Sequence, residues 1–293
     1  MSVYKHNYRA YTGRVTPLWT RVLVLARYGL AEVWSSKVSI GLFTISLVPF
    51  LVFLVGIYLA NNPIARFLVT KGSTPAPGFA INAAFFLKML ENQSWFALVL
   101  ASWIAPRLIT FDLADNALPI LLSHPISRFG YVLGKFIALF AALSLVTWIP
   151  SLMLFAYQGY SSAQPWAFAN LPIAAGLLAG AVIWIVFLSI LGLALSSWVK
   201  WRVVATGIIF AAVFVPAGVG GIASAILRTK WGLLLNVPVM MTELWCRLLG
   251  APDPMRPGQA IPTAAIVAML VAACFICMGM LNKRIRAREV VRG

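Results

Sequence analysis

Residues 38–60 run for twenty-three positions without one charged side chain. A bilayer core is crossed by about 20 apolar residues in helical conformation. Five further stretches are predominantly apolar over a comparable length: 86–106, 130–157, 171–198, 203–227 and 262–281. The expected fold is all-α and integral to a membrane, with six transmembrane helices. Composition agrees, with 61% hydrophobic and 10% charged residues and a mean hydropathy of +0.91. Soluble domains are nearer half apolar and a quarter charged. No region of a hundred residues lacks a spanning run, so residues 1–293 are read as a single transmembrane domain.

The second run is the weakest, because Lys88 and Glu91 lie near its start. Their spacing either pairs them on a helix or sets them in the outer interface. Pro106 and Pro216 are expected to kink or end their helices. Pro216 leads into Gly218, Gly220 and Gly221, so the fifth helix is expected to break there, as a packing kink, a hinge or the start of a re-entrant segment.

The net charge is +16, from 23 Lys and Arg against 7 Asp and Glu. In a soluble chain that excess suggests nucleic acid. In a membrane chain basic residues gather at the cytoplasmic ends of spans, and no nucleic-acid partner is expected. With the N-terminus inside, 16 of the 23 basic residues fall on the cytoplasmic side, Lys37, Arg107, Arg128, Lys135, Lys200 and Arg202 among them. Arg66, Lys71, Lys88, Arg228, Lys230, Arg247 and Arg256 fall on the other. Both termini are therefore expected in the cytoplasm, the membrane being a bacterial plasma or inner membrane. The first thirty-odd residues lack a cleavable signal pattern, so the chain is expected to keep its N-terminus.

Two further segments read as helices that do not cross. In 17–36, Thr16 is the expected N-cap and Pro17 the first helical residue. Leu18, Trp19, Val22, Leu23, Leu25, Ala26, Leu30, Val33 and Trp34 share one half of the helical wheel. Thr20, Arg21, Arg27, Tyr28, Glu32 and Ser35 share the other. This predicts an interfacial amphipathic helix in the inner leaflet, its apolar arc in lipid. The second segment is 236–249, within an outer loop at 228–261. Asn236 is its expected cap, and Pro252, Pro254, Pro257 and Gly258 follow as breakers.

Catalytic chemistry is missing from the pattern. His6 and His124 stand apart, and neither a zinc-protease nor a serine-hydrolase motif occurs. The stretch from Gly130 to Lys135 looks superficially like a phosphate loop. It is one residue short, Phe136 replaces the Ser or Thr, and no strand precedes it. Cys274 and Cys277 lie in an apolar run without a second pair, which favours packing over metal or redox use. No ionisable residue sits at the centre of a run, which argues against a proton-coupled carrier. The chain reads as a translocation unit that binds no cofactor and needs an engine in trans. That engine must touch the cytoplasmic side, where the loop at 107–129 is the longest between spans.

The island at 111–135 contains Asp112 and Asp115, Asn116-Ala117-Leu118, Pro119-Ile120-Leu121-Leu122, Pro125-Ile126-Ser127-Arg128 and Gly134-Lys135. It resembles the cytoplasmic loop of ABC-2 type permeases, the membrane subunits of ATP-binding cassette exporters. There an acidic stretch, Gly-Thr-Leu, an apolar run, Pro-hydrophobic-Ser-Arg and Gly-Lys follow in the same order. The chain departs in having Asn116-Ala117 for Gly-Thr, and fewer acids. The layout is similar too: an amphipathic lead-in, six spans, and a small outer helix before the last.

The resemblance implies an exporter permease that pairs with a second copy or a paralogue. It implies separate ATPase subunits that hold ATP and Mg and touch the lead-in helix and the loop. The residues carried over as ATPase contacts are Asp112, Asp115, Asn116, Leu118, Leu121, Pro125, Ser127 and Arg128. A plainer role for the stretch Pro125-Ile126-Ser127-Arg128 is a helix stop, an N-cap for the third span and a headgroup arginine, which is compatible with a rigid contact. The alternative reading is a membrane anchor or assembly factor without transport; a membrane enzyme ranks below it.

Overall fold

The computed structural model describes residues 17–62, 64, 81–114, 127–162, 166–252 and 260–284. Every regular element among them is helical. The helices are α1 Leu18–Trp34, α2 Lys37–Ser46, α3 Val48–Asn61, α4 Ala83–Ala114, α5 Arg128–Ser144 and α6 Trp148–Ser161. After them come α7 Trp166–Ala169, α8 Leu171–Ser196, α9 Arg202–Leu227, a 3-10 helix Lys230–Leu235, α10 Val237–Leu249 and α11 Thr263–Arg284.

Five stretches of these are long and apolar enough to cross a membrane: Lys37–Asn61, Arg128–Ser161, Leu171–Ser196, Arg202–Leu227 and Thr263–Arg284. The first two are each two helices in series. Pro49 lies in the first turn of α3 and Pro150 in the first turn of α6. A proline there cannot donate to the preceding turn, so the ladder is interrupted and the chain restarts. Hydroxyls pair the carbonyls at the breaks: Ser46 Oγ donates to the Phe43 carbonyl at 2.6 Å, and Thr147 Oγ1 to that of Leu143 at 2.9 Å.

The centre of the bundle is α8, which packs on α4, α5, α6, α9, α10 and α11. Its closest partner, α4, is the stretch that reads as weakest in the sequence. Phe86, Leu90, Leu98, Ala101, Ile104 and Leu108 are buried along α4. Its polar residues also face protein: Gln93 is fully buried and accepts a hydrogen bond from Ser151 Oγ of α6 at 2.8 Å. A helix packed among other helices needs less hydropathy of its own, because part of its polar surface faces protein and not lipid. The Lys88–Glu91 pair forms across one turn at 2.8 Å.

The helices do not end at Pro106 or Pro216, and the break expected at Pro216 does not occur. Both prolines lie inside continuous helices, α4 and α9. Pro106 deprives the Ser102 carbonyl of its donor. Thr206 Oγ1, from α9, donates to that carbonyl at 3.0 Å, so the lost bond is replaced across the helix interface. Of the glycines after Pro216, Gly220 serves close approach: a Cβ on it would meet the Gly232 carbonyl oxygen of the 3-10 helix, while Gly218 and Gly221 have nothing within 4 Å.

Asn236 caps α10, its side chain accepting from the Val239 N–H at 3.2 Å. Gly250 ends that helix in the left-handed region at φ 67°. The buried Glu243 ties α10 to the start of α11. Its carboxylate faces Arg247 at 3.3 Å and accepts from the Ile261 N–H at 2.9 Å. Arg247 in turn donates to Thr263 Oγ1 at 2.6 Å.

Candidate functional site

Of the eight residues expected to contact an ATPase, Asp112, Ser127 and Arg128 are described. Asp115, Asn116, Leu118, Leu121 and Pro125 lie outside the described residues, as do the expected cap Thr16 and the breakers Pro254, Pro257 and Gly258. Ser127 caps α5, accepting from the Gly130 N–H at 3.0 Å, which suits a helix that must restart after a proline. Arg128 and Phe129 are exposed beside it.

Asp112, near the end of α4, turns into the bundle. Its carboxylate lies 2.8 Å from Lys135 Nζ and accepts from the Tyr131 hydroxyl at 2.7 Å. Tyr131 and Lys135 are four residues apart on α5, hence on one face of it. Lys135 is only 5% exposed. It lies seven residues into α5, about 10 Å from the helix start, enclosed by protein. An ammonium at that depth is tolerated because an anion and an aromatic ring adjoin it, the Tyr131 ring centre being 5.7 Å away.

Helix α1 completes the junction by packing on α5 and α4. Here the expectation needs correction. The apolar arc does not lie in lipid as one face: Val22, Ala26 and Val33 are buried against the bundle, while Trp19, Leu23 and Trp34 are exposed. Half a wheel of apolar residues is wide enough for a protein stripe beside a lipid stripe, and the wheel cannot say where one becomes the other. Glycines make the contact possible. A Cβ on Gly134 would stand 2.8 Å from Leu25 Cδ2, and one on Gly29 would stand 3.1 Å from Ala138 Cβ.

On the polar side of α1, Arg27 is exposed, but Arg21 and Glu32 are half-buried, and Glu32 lies near Lys135 and Asp112. Loss of water pushes the Glu32 carboxyl up from its ordinary 4.5. Lys135 opposes this, Asp112 reinforces it, and Arg107 and Arg202 oppose it more weakly. The Arg202 guanidinium, from the start of α9, stacks on the Trp103 ring of α4 at 4.5 Å. Four helices thus place five charged groups around one point, beside the connection between α4 and α5. At the same end Arg284 of α11 donates from Nε to the Ser197 carbonyl at 3.2 Å.

Sequence reasoning selects Asp112 but misses its partners Tyr131 and Lys135 and the burial of Glu32. One signal was available: a lysine inside an otherwise apolar run needs an anion, and Asp112 is the nearest acid at the end of the neighbouring helix. The meeting of Arg107, Arg202 and Trp103 had no such signal, since it depends on how α4 and α9 pack.

No curated protein matches the chain. A family model described as ABC-2 family transporter protein matches residues 82–281, about two thirds of the chain. With that match running from the start of α4 nearly to the end of α11, the chain belongs to the ABC-2 family and is a transmembrane component of an ABC transporter.

Proposed function

We propose that the chain is the permease subunit of an ATP-driven exporter. It works with a second copy or a paralogue and with separate ATPase subunits that hold ATP and Mg. The connection at 107–129 faces the cytoplasm and carries motion of the ATPase into the bundle. The observation that supports this is the buried pairing of Asp112 with Lys135 and Tyr131. It clamps the two ends of the connection together. Through Gly134 and Leu25 the same clamp holds α1, so a load on the connection reaches α1, α4 and α5 at once. A junction of this kind resists shear because it has one favourable geometry.

In this reading α4 is a sixth span and both termini are cytoplasmic, which the division of Lys and Arg favours. A partner permease fits the uneven burial. Only 22% of an apolar 18-residue stretch in each of Lys37–Asn61 and Arg202–Leu227 is buried, against 61% of such a stretch in α8.

The test compares Leu121→Asp with Lys71→Ala, a control on the opposite side. The measured quantities are recovery of the ATPase with the permease and ATP hydrolysis by the complex. Leu121→Asp is expected to release the ATPase or uncouple it, because a charge on an apolar anchor removes the desolvated centre of an interface. Full recovery and unchanged hydrolysis would overturn the docking role and put the anchor reading ahead.

A further inference from the structure

A cavity of about 210 Å³ lies between α4, α8 and α10, lined by Glu91, Ser94, Trp95, Trp184, Thr242 and Trp245 among others. Glu91 stands twenty-one residues before Asp112 on α4, about 30 Å along the helix, so this place is distinct from the charged junction. Two of its walls are indoles at a right angle. Trp184 and Trp245 meet edge to face, with ring centres 6.1 Å apart and planes at 86°. Their N–H groups are engaged elsewhere: Trp184 Nε1 donates to the Ser94 carbonyl at 3.2 Å, and Trp245 Nε1 to the Gly180 carbonyl at 3.1 Å. What they offer the cavity is therefore ring and not donor. Trp95 is a third wall, held from behind by stacking on Phe214 at 5.8 Å.

The acid makes the cavity selective. Four carboxylates occur among the described residues: Glu32, Glu91, Asp112 and Glu243. Asp112 is bonded to Lys135 and Glu243 to Arg247, and Glu32 sits in the basic junction. Glu91 lines the aromatic cavity, and its partner Lys88 is a side chain 72% exposed, which water and dissolved cations readily replace. Aromatic faces at right angles beside a carboxylate attract a weakly hydrated cation, since the ring quadrupoles and the acid act in the same sense. An anion is repelled by both. A neutral apolar ligand has no use for the acid. A small metal ion finds too few oxygen ligands to replace its water.

We propose that this cavity binds a small organic cation, an alkylated ammonium head group seated between Trp95, Trp184 and Trp245 with Glu91 as its counter-charge. The proposal goes beyond the permease reading and does not rest on it. The test uses the purified full-length chain in a neutral detergent, titrated calorimetrically with choline chloride at constant ionic strength. Its neutral isostere, 3,3-dimethyl-1-butanol, is the comparison. Choline is expected to bind saturably and at least ten-fold more tightly than the alcohol. Glu91→Gln and Trp95→Leu should each weaken choline at least ten-fold, and Gly41→Ala, on α2 where a Cβ meets nothing within 4 Å, should leave it unchanged. Trp95 is partly exposed, so its variant keeps the test decisive if Glu91→Gln folds poorly. Absence of saturation, equal affinity for the alcohol, or wild-type affinity in the variants overturns the site. Because only binding is read, any of these results leaves the permease reading where it stood.

Discussion

Lys135 is the most enclosed cation of the junction, and among the described residues Asp112 is the one anion within bonding distance of it. Breaking such a pair from one side costs about 3–5 kcal/mol, because the other charge is left without water or partner. Asp112→Asn should fall at the low end of that range, since a fifth of the Asp112 side chain is still exposed. The double variant Asp112→Asn with Lys135→Met should recover most of the loss. Denaturation in micelles checks this, and simple additivity of the single variants would mean that the two groups do not interact. Glu32 gives a second prediction, with the opposite sign to most carboxylates. Its folded-state pKa is raised above 4.5 by burial, so the folded chain holds the proton more tightly than the unfolded one. Its contribution is therefore fully present below 4.5 and is lost as pH rises through the raised value. Thermal stability should decline over that interval in the natural chain, and Glu32→Gln should remove the decline. A profile identical in both proteins would show that Glu32 is not buried as the structure has it.

At the scale of the helix, legibility follows from what each property depends on. The existence of the long helices depends on uninterrupted apolar runs, and it was plain from the sequence, as was the Asn236 cap of α10. Prolines misled, because the cost of Pro106 is decided by a hydroxyl on another helix, Thr206. The glycines of α8 were unreadable for the same reason. A Cβ on Gly176 would lie 2.4 Å from the Leu248 carbonyl oxygen of α10, a backbone atom that cannot swing aside. Gly134 meets only the side chain of Leu25, and Gly41 meets nothing within 4 Å. Gly176→Ala is therefore expected to cost about 1–3 kcal/mol by overpacking. Gly134→Ala should cost less, and Gly41→Ala should be neutral or slightly stabilising from helix propensity. The order of the three melting temperatures is the measurement. If Gly176→Ala proved as benign as Gly41→Ala, α10 could not lie against α8 as described.

For the whole molecule, the order of residue types between α4 and α5 is distinctive in the sequence, whereas the junction behind it is assembled from α1, α4, α5 and α9, and beyond the Lys135–Asp112 pair it had no linear signature. The same division governs topology. Five stretches announce themselves by hydropathy, and α4 does not, yet it is 32 residues long. At 1.5 Å per residue that is about 48 Å, well beyond the roughly 30 Å of a bilayer core. Gln93, Ser94, Ser102 and Thr110 along it are buried within the bundle, whereas Lys88 and Asn92 near its start are exposed. The expectation is that α4 crosses, and parity makes this testable. Six crossings put both termini on one side; five put them on opposite sides. The test uses single cysteines at Ser2, Thr74, Pro254 and Gly293, in a background from which Cys246, Cys274 and Cys277 have been removed. An impermeant maleimide applied to intact cells should label Thr74 and Pro254. Ser2 and Gly293 should react only after permeabilisation. If Ser2 and Gly293 label from opposite sides, α4 is not a span, and the connection after it would no longer lie where a cytoplasmic ATPase could reach it.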